Sequence, residues 1–352
     1  MRKLILRAII LLFLFQFTLT ASEKLMFAAV LFRHGDRTPT KALKNNTYNW
    51  KIGLGELTPI GMLQEFNLGK YFHNRYIKKF KLIPEEYNSS EVYVRATDSN
   101  RTLMSAESLL YGFYPSGTGP LLADKKPALP YRFQPVPVHS AMELNDKLLS
   151  AQSIYKCKLH KLQKELVYDT EKWQKTQKLY EHYFKSWSII SGFKIQNLED
   201  VKSFAANVFI RNIHGIKQPN GITENDKKIL FKLYPWIHAE QYLPQVIGMQ
   251  ISKDLIHEII NNSEKSIEGK TVNKLFLYSA HDTNILGLMS ALGAPLKENP
   301  PYASFVGIEL YEIKNEYFVK ILYNKKYVKL ALKSDNDYYP FKAFVNYCNK
   351  LM

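Results

Sequence analysis

Cysteine is nearly absent from this chain: two residues, Cys157 and Cys348, stand among 352. No C-x-x-C pair and no H-E-x-x-H segment occurs, so the spacings that hold zinc are missing, and no metal or other cofactor is expected. The chain also lacks a basic tract, an RNP-like motif and zinc-finger spacing, which leaves nucleic acid without a recognition element. There is no internal repeat and no low-complexity segment. The even cysteine count permits one disulfide in an oxidising compartment, and two buried free thiols are the other reading.

The long apolar run is N-terminal. Met1-Arg2-Lys3 and Arg7 are basic, Ile9 to Phe17 is almost wholly apolar, and Thr18 to Ser22 is small or moderately sized. This pattern predicts a secretory signal peptide over residues 1–22, cleaved after Thr20 to Ser22. An uncleaved membrane anchor is the rival, but the run is short for a span once Arg7 counts against it. Phe341 to Leu351 reads as an amphipathic helix, so no membrane anchor is expected after removal of the leader. The expected location is the periplasm or the exterior. About 330 residues remain, enough for one large domain with an insertion. The formal charge is +16, of which the leader's Arg2, Lys3 and Arg7 supply three. This balance favours anionic substrates, although the lysines are scattered and mostly read as solvated surface.

What the chain does have is concentrated at Arg33-His34-Gly35-Asp36-Arg37-Thr38-Pro39, directly after the strand-like run Leu25 to Phe32. Two guanidinium groups flank one imidazole, and Gly35 lets the backbone bend beside them. Arginine's planar fork matches phosphate or carboxylate oxygens and stays charged at any working pH. Nearby positive charge favours the neutral, nucleophilic form of His34. These residues describe a phosphate pocket that already contains a nucleophile.

Together with Ser279-Ala280-His281-Asp282-Thr283-Asn284, this stretch resembles the histidine acid phosphatases, branch 2 of the histidine phosphatase superfamily. Gly55 to Met62, Val92 to Asp98, Arg101 to Ala106, Pro301-Tyr302-Ala303-Ser304 and Glu316 to Val319 follow in the family's order. The likeness runs from about Glu23 to the end and thins between Leu159 and Asn273. The lysine, asparagine and isoleucine bias, the scarce cysteine and Gly117-Thr118-Gly119-Pro120 look like a bacterial branch of the family. The resemblance implies a phosphoglycerate-mutase-like α/β fold, with a mostly parallel sheet flanked by helices and an α-helical cap insertion. It also implies a bridge between Cys157 and Cys348, although related animal enzymes carry further cysteines missing here. A homodimer is left open.

The chain divides accordingly. Residues 23–143 and 263–352 are assigned to the α/β core, and 144–262, where lysine, leucine, tyrosine and glutamate fall at helical spacing, to the cap. Thr58-Pro59 reads as an N-cap with proline at the first helical position. Leu68, Phe72, Tyr76 and Phe80 mark one buried helix face. Glu91 to Thr97 is a strand, Asp98 caps a helix to about Tyr111, and Tyr114 to Pro137 is a long loop. Asn273 to Ala280 is a strand ending at His281-Asp282, with a helix over Thr283 to Leu292. Ala303 to Tyr311, Tyr317 to Tyr323 and Tyr327 to Leu330 alternate like antiparallel edge strands.

Strand, helix, strand, helix implies parallel strands with right-handed crossovers, and ligands of such sheets bind at the strands' carboxyl ends. Arg33, His34, Arg37, Arg95, His281 and Asp282 all fall at those ends. Phosphomonoester hydrolysis needs charge neutralised on three oxygens, an in-line nucleophile and a proton for the leaving alcohol. Arg33, Arg37 and Arg95 meet the first need, His34 the second and Asp282 the third. The resemblance implies a phosphohistidine on His34, Asp282 as proton donor and His281 as hydrogen-bond donor to the phosphoryl group. Asp36 is assigned to orienting Arg37 or a backbone amide; His139 and His214, near loop-like segments, are read as satisfied structural histidines, with a place in the pocket wall as the alternative. Sequons occur at Asn45, Asn88, Asn100 and Asn261; the first, second and fourth are read as loop sites, and Asn100 as a coincidence on a helix. The expected substrates are small phosphate monoesters. A phytase or sugar-phosphatase of the same superfamily is the enzymatic alternative, and a secreted small-ligand-binding protein on this fold the non-enzymatic one.

Overall fold

The computed structural model describes residues 23–270, 273–334 and 337–351. The signal peptide predicted over residues 1–22 lies outside the described residues. The chain begins with β1 (Lys24–Arg33), then α1 (Pro59–Phe72), which passes into a π-helical turn at His73–Lys79. β2 (Val92–Ala96) and α2 (Asn100–Phe113) follow. Six helices come next: α3 (Ala151–Ile154), α4 (Lys156–Gln163), α5 (Glu171–Ser191), α6 (Leu198–Ile213), α7 (Glu224–Glu240) and α8 (Gln245–Ile267). β3 (Leu275–Ala280), α9 (Asp282–Ala291), β4 (Phe305–Ile313), β5 (Glu316–Tyr323), β6 (Lys326–Tyr327), β7 (Tyr339–Pro340) and α10 (Phe341–Leu351) complete the chain.

The strands form one mixed sheet in the order β2-β3-β1-β4-β5-β6, with β7 also on β5. β1, β2 and β3 are parallel, whereas β4 runs antiparallel to β1 and β5 antiparallel to β4. Antiparallel pairing begins beside the central strand, so β4 is an interior strand and not the edge strand its alternation predicts. β1 is apolar at nearly every position because both its faces are covered. Phe27, Ala29 and Leu31 meet α8, α9 and α10; Ala28, Val30 and Phe32 meet α1 and α2. A register shift between Leu25 and Phe27 turns Leu25 to the second face.

The cap has a core of its own, including Trp173, Trp187, Phe204, Val208, Leu230 and Ile237. α8, the last helix expected there, instead lays Met249, Leu255, Ile256 and Ile259 against the sheet. It therefore serves the core, while Ile247 and Ile251 of its first turns pack into the cap. Asn261 consequently lies on this helix and not in a loop, with the Ser263 hydroxyl buried and donating to Ile259 O. The expected disulfide is absent: Cys157 is exposed on α4, whereas Cys348 is buried on the sheet side of α10, and both are free.

Candidate active site

The carboxyl ends of β1 and β3 lie side by side, since the two strands are parallel and in register to Arg33↔Ala280. The His34 amide donates to Ala280 O at 3.0 Å, so the nucleophile candidate and His281-Asp282 leave the sheet together. Gly35 is required here by closeness. It is not in the left-handed region, but a Cβ on it would lie 2.4 Å from Gly61 O, and one on Gly61 would lie 2.3 Å from Asp36 O. The start of α1 is pressed against the loop, where the Thr58 hydroxyl accepts from Gly61 N and donates to the Asp36 carboxylate at 2.5 Å. His214, from the end of α6, also donates to Asp36 at 2.7 Å. Asp36 thus ties the loop to α1 and to the cap, and His214 is its partner. His139 is further out, stacked on Tyr93.

The His34 ring has one defined orientation. Its Nδ1 is 2.7 Å from Gly35 O, and a carbonyl can only accept, so Nδ1 carries the proton and Nε2 keeps its lone pair. Burial, joined by Arg33, Arg101, His281 and Arg37, holds the His34 pKa well below its ordinary value. The ring is neutral, with the Nε2 lone pair available.

Arg33 is buried, donates to Pro300 O and pairs with Asp282 at 2.9 Å. Burial alone would raise the Asp282 carboxyl, but the Arg33 guanidinium, with Arg37 behind it, outweighs burial and holds the group well below the usual carboxylate range. The Thr283 amide donates to Oδ1 at 2.9 Å, and Asn299 Nδ2 to Oδ2 at 3.3 Å. Asp282 opens α9, where the helix N-terminus also favours the anion. In the free protein it is ionised.

The third arginine charge acting on His34 is that of Arg101, while Arg95, expected there, is turned to another partner. Arg95 donates to the fully buried Asp146 at 2.8 Å, and that carboxylate also receives the Leu148 and Leu149 amides. Arg101, in the first turn of α2, places Nη2 3.3 Å from His281 Nδ1. Burial and then the Arg37 charge lower its pKa to about 10. Because a guanidinium only donates, His281 Nδ1 accepts and its Nε2 donates to Thr97 Oγ1 at 3.0 Å. Burial, then Arg101, bring the His281 pKa to about 3. The cap contributes His238 on α7, whose pKa burial takes to about 3. Strand-end logic finds neither Arg101 nor His238, since both lie on helices.

The Nε atoms of Arg33, Arg37, Arg95 and Arg101 are all buried without a hydrogen-bond partner, and of these four Arg33, Arg37 and Arg101 are the charges that act on His34. Unpaired cationic donors around one neutral imidazole form a receptor for a compact anion. Among the described residues, no group of three or more His, Cys, Asp or Glu side chains could hold a metal ion.

Known proteins share this arrangement of chain. Prostatic acid phosphatase of Bos taurus is 32% identical over 317 residues, covering 87% of this chain and 78% of the bovine protein. Lysosomal acid phosphatase of Xenopus laevis is 31% identical over 316 residues, covering 87% and 70%. A solved structure titled Hafnia alvei phytase in complex with tartrate superimposes with a TM-score of 0.67 over 93% of this chain and 97% of its own, at 16% identity, a likeness of fold alone. The profile of the histidine phosphatase superfamily (branch 2) matches residues 24–324. That span runs from the start of β1 to just past β5 and takes in every strand end that feeds the site, and the chain belongs to this superfamily branch.

Proposed function

We propose that this chain is an exported acid phosphatase that hydrolyses phosphate monoesters through a phosphohistidine on His34. The observation that carries the reading is the His34 tautomer, with Nδ1 donating to Gly35 O and Nε2 free among Arg33, Arg37 and Arg101. His34 Nε2 attacks phosphorus, the P–O bond to the alcohol breaks, and the arginines hold the nonbridging oxygens. Asp282 protonates the leaving oxygen and later helps water attack the phosphohistidine.

The free site holds Asp282 as a carboxylate against Arg33, so it takes up its proton only once substrate is bound. A phosphate ester neutralises Arg33 and Arg37, the same charges that depress the acid. Its binding raises the Asp282 proton affinity, and a monoanionic ester brings the proton with it. A dianion near Arg101 likewise raises the proton affinity of His281, whose Nδ1 then becomes a donor to the phosphoryl group.

Beside Arg33 lies a cavity of about 270 Å³ lined by Phe209, Tyr234, Pro235, Pro301 and Tyr302. Its aromatic walls suit an apolar or aryl alcohol. A multiply phosphorylated substrate, the phytase alternative, has a different feature in its favour: a cavity of about 540 Å³ with Lys41, Lys44, Lys194 and Lys202 beside Glu199 and Asp200. Relative rates on nitrophenyl phosphate and inositol hexakisphosphate separate the two. Export rests on the leader-like N-terminus and on family likeness; no described helix is long and apolar enough to cross a membrane.

The deciding experiment times phosphoenzyme formation in rapid acid quench. Wild type carries acid-labile phosphate on His34, and His34→Ala carries none while folding normally. Asp282→Asn keeps the shape of the acid but has no proton to give. It should lose about 100- to 10,000-fold on alkyl esters, and far less on nitrophenyl phosphate, whose leaving group needs little help. Label on another residue, or equal slowing on both esters, overturns the assignment.

A further inference from the structure

The loop between α9 and β4 is held more firmly than a connector requires. The Asn299 amide donates to Pro235 O of α7 at 3.1 Å, and Pro300 O accepts from Arg33. The Ala303 amide donates to His34 O at 3.3 Å, and Ser304 O accepts the Arg33 amide at 2.8 Å. Between these ties Ala303 sits at φ 55°, in the left-handed region that side chains with a Cβ avoid. Strained conformations persist only where the surroundings over-determine them, and they cluster at working sites.

The residue placed by that strained turn is Tyr302. Its ring covers the Arg33 guanidinium at 4.3 Å and lies 5.9 Å from the His34 ring. Its hydroxyl is buried and has no hydrogen-bond partner among the described residues. A buried, unsatisfied hydroxyl is unfavourable in the empty protein and is uncommon. Burial raises the phenol's pKa against the opposing pull of Arg37 and Arg33, so the group remains a donor at every working pH. Those arginines, with Tyr234 and Asp36, are its main charged or ionisable surroundings. The hydroxyl therefore lies with Arg33 and Arg37, the phosphate clamp, while the ring forms part of the wall of the alcohol cavity.

We propose that Tyr302 is a further catalytic residue whose hydroxyl donates a hydrogen bond to a nonbridging oxygen of the phosphoryl group as it moves to His34. The proposal rests on the phosphohistidine reading above. Tyr302 keeps its proton throughout: the Nε2–P bond forms, the ester P–O bond breaks, and Asp282 supplies the leaving alcohol's proton. The donor matters most when charge spreads over the equatorial oxygens.

Tyr302→Phe tests this, because the ring stays over Arg33 and only the unsatisfied hydroxyl is lost. Its denaturation midpoint should equal or exceed that of wild type. Phosphoenzyme formation should fall about 100-fold, equally on alkyl and aryl esters, with KM little changed. Vanadate, which mimics the five-coordinate phosphoryl group, should bind more weakly by a similar factor. 3-Fluorotyrosine at this position keeps the hydroxyl and should keep the rate. A Tyr302→Phe enzyme that phosphorylates at the wild-type rate, slows on alkyl esters alone, or slows only in proportion to unfolded protein overturns the proposal. So does a fluorotyrosine enzyme as slow as the phenylalanine one. His34→Ala is run alongside: turnover there defeats the phosphohistidine reading itself, whereas normal Tyr302→Phe beside inert His34→Ala removes only the role of the hydroxyl.

Discussion

Arg95 and Arg101 carry the same charge a short distance apart, and their substitution should have opposite signatures. Arg101→Ala removes a clamp donor beside His281 and should lower kcat/KM by about 100- to 1,000-fold with little change in stability. Arg95→Ala leaves Asp146 buried with backbone amides as its remaining partners, which should cost about 2–3 kcal/mol of stability and change kcat/KM only a few-fold. Urea titration and steady-state kinetics on both variants check the pair. Arg33 and His34 leave β1, and His281-Asp282 leave β3, where the sequence has them, because an apolar run stops visibly at each place; Arg37 follows in the loop after β1. The sequence could not place Arg101. Which arginine faces the site depends on the phase of α2 and on Asp146, a partner that arrives only through tertiary structure. The hydroxyl of Tyr302 was equally hidden, since its lack of a partner exists only in three dimensions.

At the level of elements, α1 shows what the pattern conveyed and what it did not. Thr58 and Pro59 open the helix as read, and Leu68, Phe72 and Tyr76 are buried as read. Strict four-residue spacing, however, drifts by about 40° per step on a helix of 3.6 residues per turn. The π-helical turn at His73–Lys79 absorbs that drift, and Arg75 and Tyr76 from it reach the buried Glu309 of β4 at 2.7 and 2.9 Å. Nothing local announces the turn, because Glu309 lies across the sheet. The other end of α1 makes a prediction. Gly61→Ala would drive a Cβ into the backbone at Asp36, so the helix and the catalytic loop must part. A loss of about 1–3 kcal/mol in urea is expected, together with a fall in phosphoenzyme formation because the loop carries His34 and Arg37.

For the whole molecule, the site sets how stability depends on pH. His34, His238 and His281 are held neutral, with folded pKa values below the unfolded value of about 6.5. As pH falls below that value the unfolded chain gains protons that the folded one refuses, so stability drops. Each histidine contributes up to about 1.4 kcal/mol per pH unit until its folded pKa, about 3 for His238 and His281, is reached. Asp282 adds to the loss at still lower pH, where its ion pair with Arg33 is protonated away. Inorganic phosphate binds only the folded clamp and should restore about 2.7 kcal/mol at a hundred times its Kd. Urea midpoints at pH 7, 5.5 and 4.5, with and without phosphate, test both statements; a flat profile, or phosphate without effect, contradicts them.

β1 and β3 are bonded neighbours, yet the entire cap is encoded between them. A growing chain leaves the ribosome with its nucleophile and first arginines early, while the acid and the strand that aligns it come after most of the translation is done. Until then His34 has no Ala280 carbonyl to fix its backbone and no Asp282 to protonate a leaving group. The two halves of the site are therefore joined only once β3 has paired with β1, after the whole intervening cap has been made.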